Sequence, residues 1–295
     1  MTAGTLLVYG VHSPLGRRVM ETLGSSADIR PVAADSLAPE GLRAAVRDAR
    51  AVVNAAMGAP ADIVRAAERL SAALRGAAPE KRLVHVSSMT VYGEATPYAA
   101  AHIAAEARAR VFPQTVVLRP GVEYGPGCEA WSGRIARWLE ARRIGDLGAG
   151  GDGYCNLVFI DDLVRAVLAA AQQTAAPGGV FNVAMRDPPT WNEYLIAFGV
   201  ALGAIPVRRM TRRRWAIETK LLAPPLKVAE LTIGRVPFIA RQLPPAIPPS
   251  FRRLCTQEIR LDVGATEAAL GLTWTPMPAG LRAAAAAYRR KRPRG

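Results

Sequence analysis

For its first 180 residues the chain alternates short, continuously apolar runs with stretches of helical periodicity, and few folds accept that pattern. The apolar runs lie at Leu6–Tyr9, Ile29–Ala33, Ala51–Ala55, Leu83–Ser87, Thr115–Leu118 and Asn156–Ile160. Helical spacing between them predicts helices at Gly16–Leu23, Glu40–Asp48, Ala61–Gly76, Ala99–Val111 and Asp162–Gln173. A strand apolar on both sides must be covered on both faces, and helices do the covering. The expected fold is α/β, a doubly wound parallel sheet.

After about residue 185 the text changes. Helices are predicted at Trp191–Gly203 and at Thr211–Leu222, the second dense in arginine. Seven prolines between residues 222 and 250 forbid long regular elements there, and apolar text such as Val236–Ala240 is broken by them. Helical periodicity returns at Val263–Leu270 and Pro278–Arg290. The expected division is an α/β domain over 1–185 and a smaller, basic, Pro-rich cap over 186–295.

The net charge of +14 is unevenly placed. Residues 1–207 hold 20 basic and 19 acidic side chains, whereas residues 208–260 hold 12 and 3, and residues 261–295 hold 6 and 2. A nucleic-acid binder would spread such an excess along a face with aromatic residues between the charges, and here only Trp215 stands among them. Three cysteines, Cys128, Cys155 and Cys255, lack metal-ligand spacing and cannot all pair, so thiols in a reducing compartment and no metal site are expected. The apolar runs are strand-sized, and Leu6–Tyr9 lacks the flanks of a signal peptide. A cytoplasmic globular protein is the expectation.

Chemistry enters after the first predicted strand. Gly10-Val11-His12-Ser13-Pro14-Leu15-Gly16 has the spacing of a dinucleotide-binding turn, with Ser13 where the middle glycine would stand. Gly10 permits the tight bend, and Gly16 lets the helix lie close on the strand. Ser13-Pro14 is also a helix start, whose amides would face a pyrophosphate. Candidate cofactor contacts are Gly10, His12, Ser13, Pro14, Leu15 and Gly16, although a Cβ at position 13 crowds the approach. The rings of His12 and His85 read as structural. Asp35, 25 residues after Gly10, stands where an acid holds the adenosine ribose. Arg17 and Arg30 could reach a 2′-phosphate, but no arginine follows the second strand closely, so the balance leans to NAD over NADP.

Further blocks follow in order. These are Val52-Val53-Asn54-Ala55-Ala56, then Val86-Ser87-Ser88-Met89-Thr90-Val91-Tyr92-Gly93, then Pro97-Tyr98 opening a helix that runs to Glu106. Arg119-Pro120-Gly121-Val122-Glu123-Tyr124-Gly125-Pro126, Asn156–Asp162 and Val180–Val183 complete the set. On these residues the chain resembles the extended short-chain dehydrogenase/reductases, the NAD(P)-dependent epimerase/dehydratase family, over about residues 5–205. The resemblance implies a Rossmann domain in which Ser88 orients a substrate oxygen and Tyr98 is the acid/base. It adds Asn54, Ala55, Ala56, Pro120 and Gly121 to the cofactor contacts, and Met89, Glu94 and Tyr124 on the substrate side.

Two departures qualify that implication. The family's lysine one turn after the tyrosine holds the nicotinamide ribose and favours the phenolate, because a free phenol titrates near 10. Here that position is His102, which shares a helix face with Tyr98 but supplies no permanent charge. The connection between Ser88 and Tyr98 is also short, which weighs against a nucleotide-sugar substrate.

The expected function is an NAD(P)-dependent oxidoreductase, epimerase or dehydratase acting at a secondary alcohol or ketone of a small biosynthetic intermediate. The alternatives are a redox-neutral lyase, isomerase or cyclase on the same fold, and an inactive cofactor-binding regulatory protein. Arg212 and Arg213, in an arginine cluster, suit a phosphate-bearing or carrier-linked substrate, and basic residues among apolar ones equally suit a peripheral membrane contact. The resemblance also makes a homodimer a common arrangement.

Overall fold

The computed structural model describes residues 5–24, 29–78, 80–172, 177–226 and 246–291. The stretch Val236–Ala240 and the basic tail beyond residue 291 lie outside the described residues. Two compact units emerge, and neither is continuous in the chain. The first takes residues 1–121, 158–186 and 261–274, and the second takes 122–157, 187–260 and 275–295. The division is thus interleaved along the chain.

The first unit is a six-stranded parallel sheet built from β1 (Thr5–Tyr9), β2 (Ile29–Val32), β3 (Ala49–Asn54), β4 (Arg82–Val86), β5 (Thr115–Pro120) and β6 (Val180–Val183). The order is β2-β1-β3-β4-β5-β6. Val8, Val52, Val53, Val84, Val117 and Leu118 are wholly buried, as a sheet covered on both faces requires. Helices α1 (Pro14–Leu23), α2 (Pro39–Asp48), α3 (Pro60–Leu74), α4 (Pro97–Ala109) and α5 (Ile160–Ala171) connect the strands. Each of the first four begins on a proline, whose fixed φ and missing N–H suit a first helical position. Small residues let α3 lie close on α4, where Ile63 and Ala67 pack against Ala101 and Ala105.

The run at Asn156–Ile160 forms only a three-residue strand, Leu157–Phe159, outside this sheet. The sixth place goes to Val180–Val183, which pairs in register with Val117–Pro120 after the crossover through α5. Helix α6 (Gly264–Leu270) belongs to this unit because the Thr266 hydroxyl donates to the Asn182 carbonyl at 2.6 Å and Asn182 Nδ2 donates to the Asp262 carbonyl at 3.0 Å.

The second unit is helical. Trp191–Leu202 is opened by a Thr190/Glu193 capping box and closed by Gly203 at φ 71°. Arg212–Ala216 runs on into a wider π-helical turn over Ile217–Leu222. Pro249–Leu254 is a helix inside the Pro-rich text, because Pro249 starts an element as readily as a proline stops one. Phe251 from that helix packs among Trp131, Trp138, Trp191 and Trp215. No described helix is long and apolar enough to cross a membrane, and none of the three cysteines is in a disulfide.

One charged pair is buried in this unit: Arg143 donates through Nε (2.9 Å) and Nη2 (2.6 Å) to Glu218 Oε2. Removing one member of such a pair leaves a charge without its counterion. Glu218→Ala is expected to lower stability by about 3 kcal/mol, and the double variant Glu218→Leu/Arg143→Met to recover most of that, read from denaturant midpoints at constant m.

Candidate functional site

The glycine turn closes tightly. Gly10 has φ 87°, and a Cβ there would stand 2.5 Å from the Ala56 Cα; one on Gly16 would stand 2.4 Å from the Gly10 carbonyl oxygen. Neither position admits a side chain. Position 13 differs, because Ser13 has an ordinary extended φ of −67°. Its hydroxyl turns inward to cap α1, accepting from the Gly16 N–H at 2.9 Å, so its Cβ and oxygen are part of the turn. The Ser13 N–H donates to the Gly10 carbonyl at 3.0 Å, and Pro14 has none. Leu15, with its side chain buried, supplies the remaining amide of the first helical turn for an anion. The carbonyl of His12 accepts from Arg17.

The neighbouring strand completes this end. The Ala55 N–H donates to the Tyr9 carbonyl at 2.9 Å, and buried Asn54 accepts from the Ala56 N–H at 3.2 Å while its Nδ2 meets His85 Nδ1 at 3.1 Å. The residues from Asn54 to Ala56 are therefore held beside Gly10 with their positions fixed from below. A dinucleotide fits this turn, because it keeps the close approach and the helix N-terminus that a pyrophosphate needs.

Asp35 lies three residues beyond Val32, whose carbonyl accepts from the Gly10 N–H at 2.8 Å. Its backbone is left-handed at φ 67°. Two arginines not singled out in the sequence meet it: Arg69 Nη1 lies 3.3 Å from Oδ1 and Arg65 Nε lies 3.6 Å from Oδ2. The arginines that were singled out are engaged elsewhere, Arg17 on His12 and Arg30 on Asp48 at 3.4 Å. Spacing four apart on α3 marks Arg65 and Arg69 as one face, but nothing local names their partner.

The catalytic candidates gather on α4. Ser88 ends the strand segment after β4, and its hydroxyl accepts from the Thr90 N–H at 3.2 Å to open a short 3₁₀ turn, Met89–Tyr92, which packs against α4. Thr96 caps α4, Tyr98 follows in its first turn, and His102 stands one turn on. The two rings meet edge to face with centroids 4.7 Å apart, and Tyr98 also packs on the Ile63 and Ala67 face of α3. Pro120 ends β5, and the Gly121 N–H donates to the Val183 carbonyl at 3.0 Å. Met89 is buried and Glu94 is exposed on the connection to α4. Tyr124, buried, and Arg213, exposed, lie in the second unit. The side chain of Arg212 lies outside the described residues.

Glu106, one further turn along α4, organises what lies beneath. Arg119 grips its carboxylate with two bonds of 2.9 and 2.6 Å, and the Ser87 hydroxyl donates to it at 2.5 Å. Burial pushes this carboxyl up, but the Arg119 and Ser87 bonds outweigh burial and hold it below the usual range. Arg119 Nη1 also donates to the Tyr92 hydroxyl at 2.7 Å, and that hydroxyl donates to Asn182 Oδ1 at 2.9 Å.

The histidines respond differently. Burial lowers His102 from its usual value to about 4, against the opposing pull of Glu106. Burial likewise lowers His85 to about 4. Neither ring nitrogen of His102 has a hydrogen-bond partner among the described residues. His102 is therefore a neutral ring at neutral pH and does not reproduce a lysine's charge.

A family model described as the NAD dependent epimerase/dehydratase family matches residues 7–184. The chain belongs to that family. Three solved structures place the epimerase/dehydratase fold over nearly the whole chain. One is UDP-glucuronic acid 4-epimerase from Bacillus cereus, in complex with UDP-glucuronic acid and NAD, at 14% identity and TM-score 0.67, covering 97% of this chain and 99% of that one. A second is TunA, an NAD-dependent NDP-hexosamine 5,6-dehydratase involved in tunicamycin biosynthesis, at 18% identity and TM-score 0.68, covering 98% and 99%. The third is WbmF from Bordetella bronchiseptica, in complex with NAD+ and UDP, at 14% identity and TM-score 0.68, covering 98% and 92%. No curated protein sequence matches the chain.

The buried histidines make stability depend on pH. Both are neutral in the fold down to about pH 4, whereas unfolded histidine takes up its proton near 6.5. Between those values the unfolded chain binds more protons, so stability falls as pH drops from 6.5 toward 4 and is flat above. The slope is expected to reach about 1.4 kcal/mol per pH unit for each histidine. Denaturant titrations across this range check it, and His102→Leu is expected to halve the slope.

Proposed function

We propose that the protein is an NAD-dependent epimerase or dehydratase whose substrate is a nucleotide-diphosphate sugar. The observation that carries this reading is the pairing of Tyr98 with His102 on α4 beside the turn that Ser88 opens. Ser88 orients the substrate hydroxyl, and Tyr98 takes its proton as the carbon is oxidised and returns it when the carbonyl is reduced. A nicotinamide, when bound, would accept the hydride and give it back. His102 stands one turn on as a buried, neutral ring that lends Tyr98 no charge.

Nucleotide sugars are favoured over other alcohols by two considerations. Neighbours solved with UDP or a UDP-sugar share this fold over nearly the whole chain, which supports that class. The arginine excess of the second unit, including exposed Arg213, suits a diphosphate.

The neutral ring at 102 has a kinetic consequence, because a positive charge beside a phenol favours the phenolate. Turnover of UDP-hexoses and UDP-hexuronic acids with NAD, followed by product chromatography, is expected to rise toward alkaline pH. His102→Lys is expected to move that limb to lower pH, and Tyr98→Phe to lower kcat about a hundredfold or more in a protein that still folds. Turnover indifferent to Tyr98→Phe would end this reading.

A further inference from the structure

In the second unit, the helical stretch that begins at Arg212 carries its polarity reversed. Its buried side chains include Glu218, paired with Arg143, and Thr219, whose hydroxyl donates to the Trp215 carbonyl at 2.8 Å. Over Ile217–Leu222 the exposed side chains are Ile217, Lys220, Leu221 and Leu222, with Leu221 67% and Leu222 41% exposed. The π-helical turn brings the three aliphatic residues together, because a turn that closes on the fifth residue sets both Leu221 and Leu222 about one turn on from Ile217. Neighbouring aliphatic side chains left in water mark a contact surface when charged groups ring them.

The charge around them has one sign. Glu218 is the only acid from residue 208 to residue 225, and it is buried on Arg143. Lys220 is exposed next to the leucines, and Arg252 is exposed on Pro249–Leu254, the helix that packs against this turn. Residues 208–260 hold 12 basic and 3 acidic side chains. Between residues 217 and 222 no exposed side chain carries the amide, hydroxyl or carboxyl groups that give a protein–protein contact its hydrogen bonds. Aliphatic groups that reach the acyl boundary, with cations at headgroup level, are what an anionic bilayer accepts.

We propose that Ile217, Leu221 and Leu222, with Lys220 beside them, seat the second unit on a membrane surface rich in anionic lipid. The leucines enter the boundary between headgroups and acyl chains, and Lys220 and Arg252 stay with the lipid phosphates. None of these side chains belongs to the dinucleotide turn or to the Ser88 and Tyr98 pair, so membrane seating and the reaction stand or fall separately.

Co-sedimentation of the intact protein with vesicles of phosphatidylglycerol mixed with phosphatidylcholine, against vesicles of phosphatidylcholine alone, tests this. Partition onto the mixed vesicles is expected to be about tenfold stronger or more, and to weaken as salt is raised. Leu221→Gln/Leu222→Gln is expected to weaken it about tenfold or more, and Lys220→Gln about fivefold. The double variant is expected to keep the denaturant midpoint and the mass in analytical ultracentrifugation of the unaltered protein. Absence of partition onto the mixed vesicles overturns the proposal, and so does partition that the leucine variant leaves unchanged, which is the mark of charge alone. A midpoint lowered in that variant means that the chain itself covers the leucines, and a smaller mass means that a second copy does; either result overturns it too.

Discussion

The paired bonds between Arg119 and Glu106 hold the reaction end of the first unit together. Arg119 comes from β5 and Glu106 from α4, so the pair pins the helix bearing Tyr98 and His102 to the carboxyl end of the sheet. Side-chain exposures of 19% and 7% place it where water screens little, and a two-pronged geometry is what makes a buried pair worth its desolvation. The same guanidinium reaches Tyr92, and Tyr92 reaches Asn182 on β6. The Met89–Tyr92 turn, α4, β5 and β6 are thereby tied to one cation.

That arrangement suits an uncharged ring at 102. With Glu106 already satisfied by Arg119 and Ser87, a cation at 102 has no carboxylate in need of it, and burial favours the uncharged ring. The charge lost at 102 is therefore no defect of packing. Its effect falls on chemistry, on the ease with which a neighbouring phenol gives up its proton, and on stability in acid, where two buried rings resist protonation.

Much of the fold was legible because parallel strands covered on both faces leave an unbroken apolar signature, and the shared face of Tyr98 and His102 was legible because helical spacing is local. Helix starts were misjudged by one residue at Pro39 and Pro60, where proline looks like an interruption and is in fact the first residue, whereas Pro14 and Pro97 already read as opening their helices. Val180–Val183 was quoted as a block and not read as a strand, because an edge strand with two half-buried residues lacks the continuous signature. Contacts made across thirty residues, such as Arg69 with Asp35, have no local trace. Ser13 reads in the sequence as a helix cap, and its hydroxyl does cap α1 at Gly16.

Helix α3 links these two kinds of residue. Its Ile63 and Ala67 face packs beneath Tyr98 on α4, and its Arg65 and Arg69 face meets Asp35 at the dinucleotide end. Residues two apart on a helix point in nearly opposite directions, so a single rod presents one face toward Tyr98 and the other toward Asp35. The close approach of α3 to α4 depends on alanines at 67, 101 and 105, and larger side chains there would move both faces at once. The placements of Tyr98 and Asp35 thus rest on the same packing.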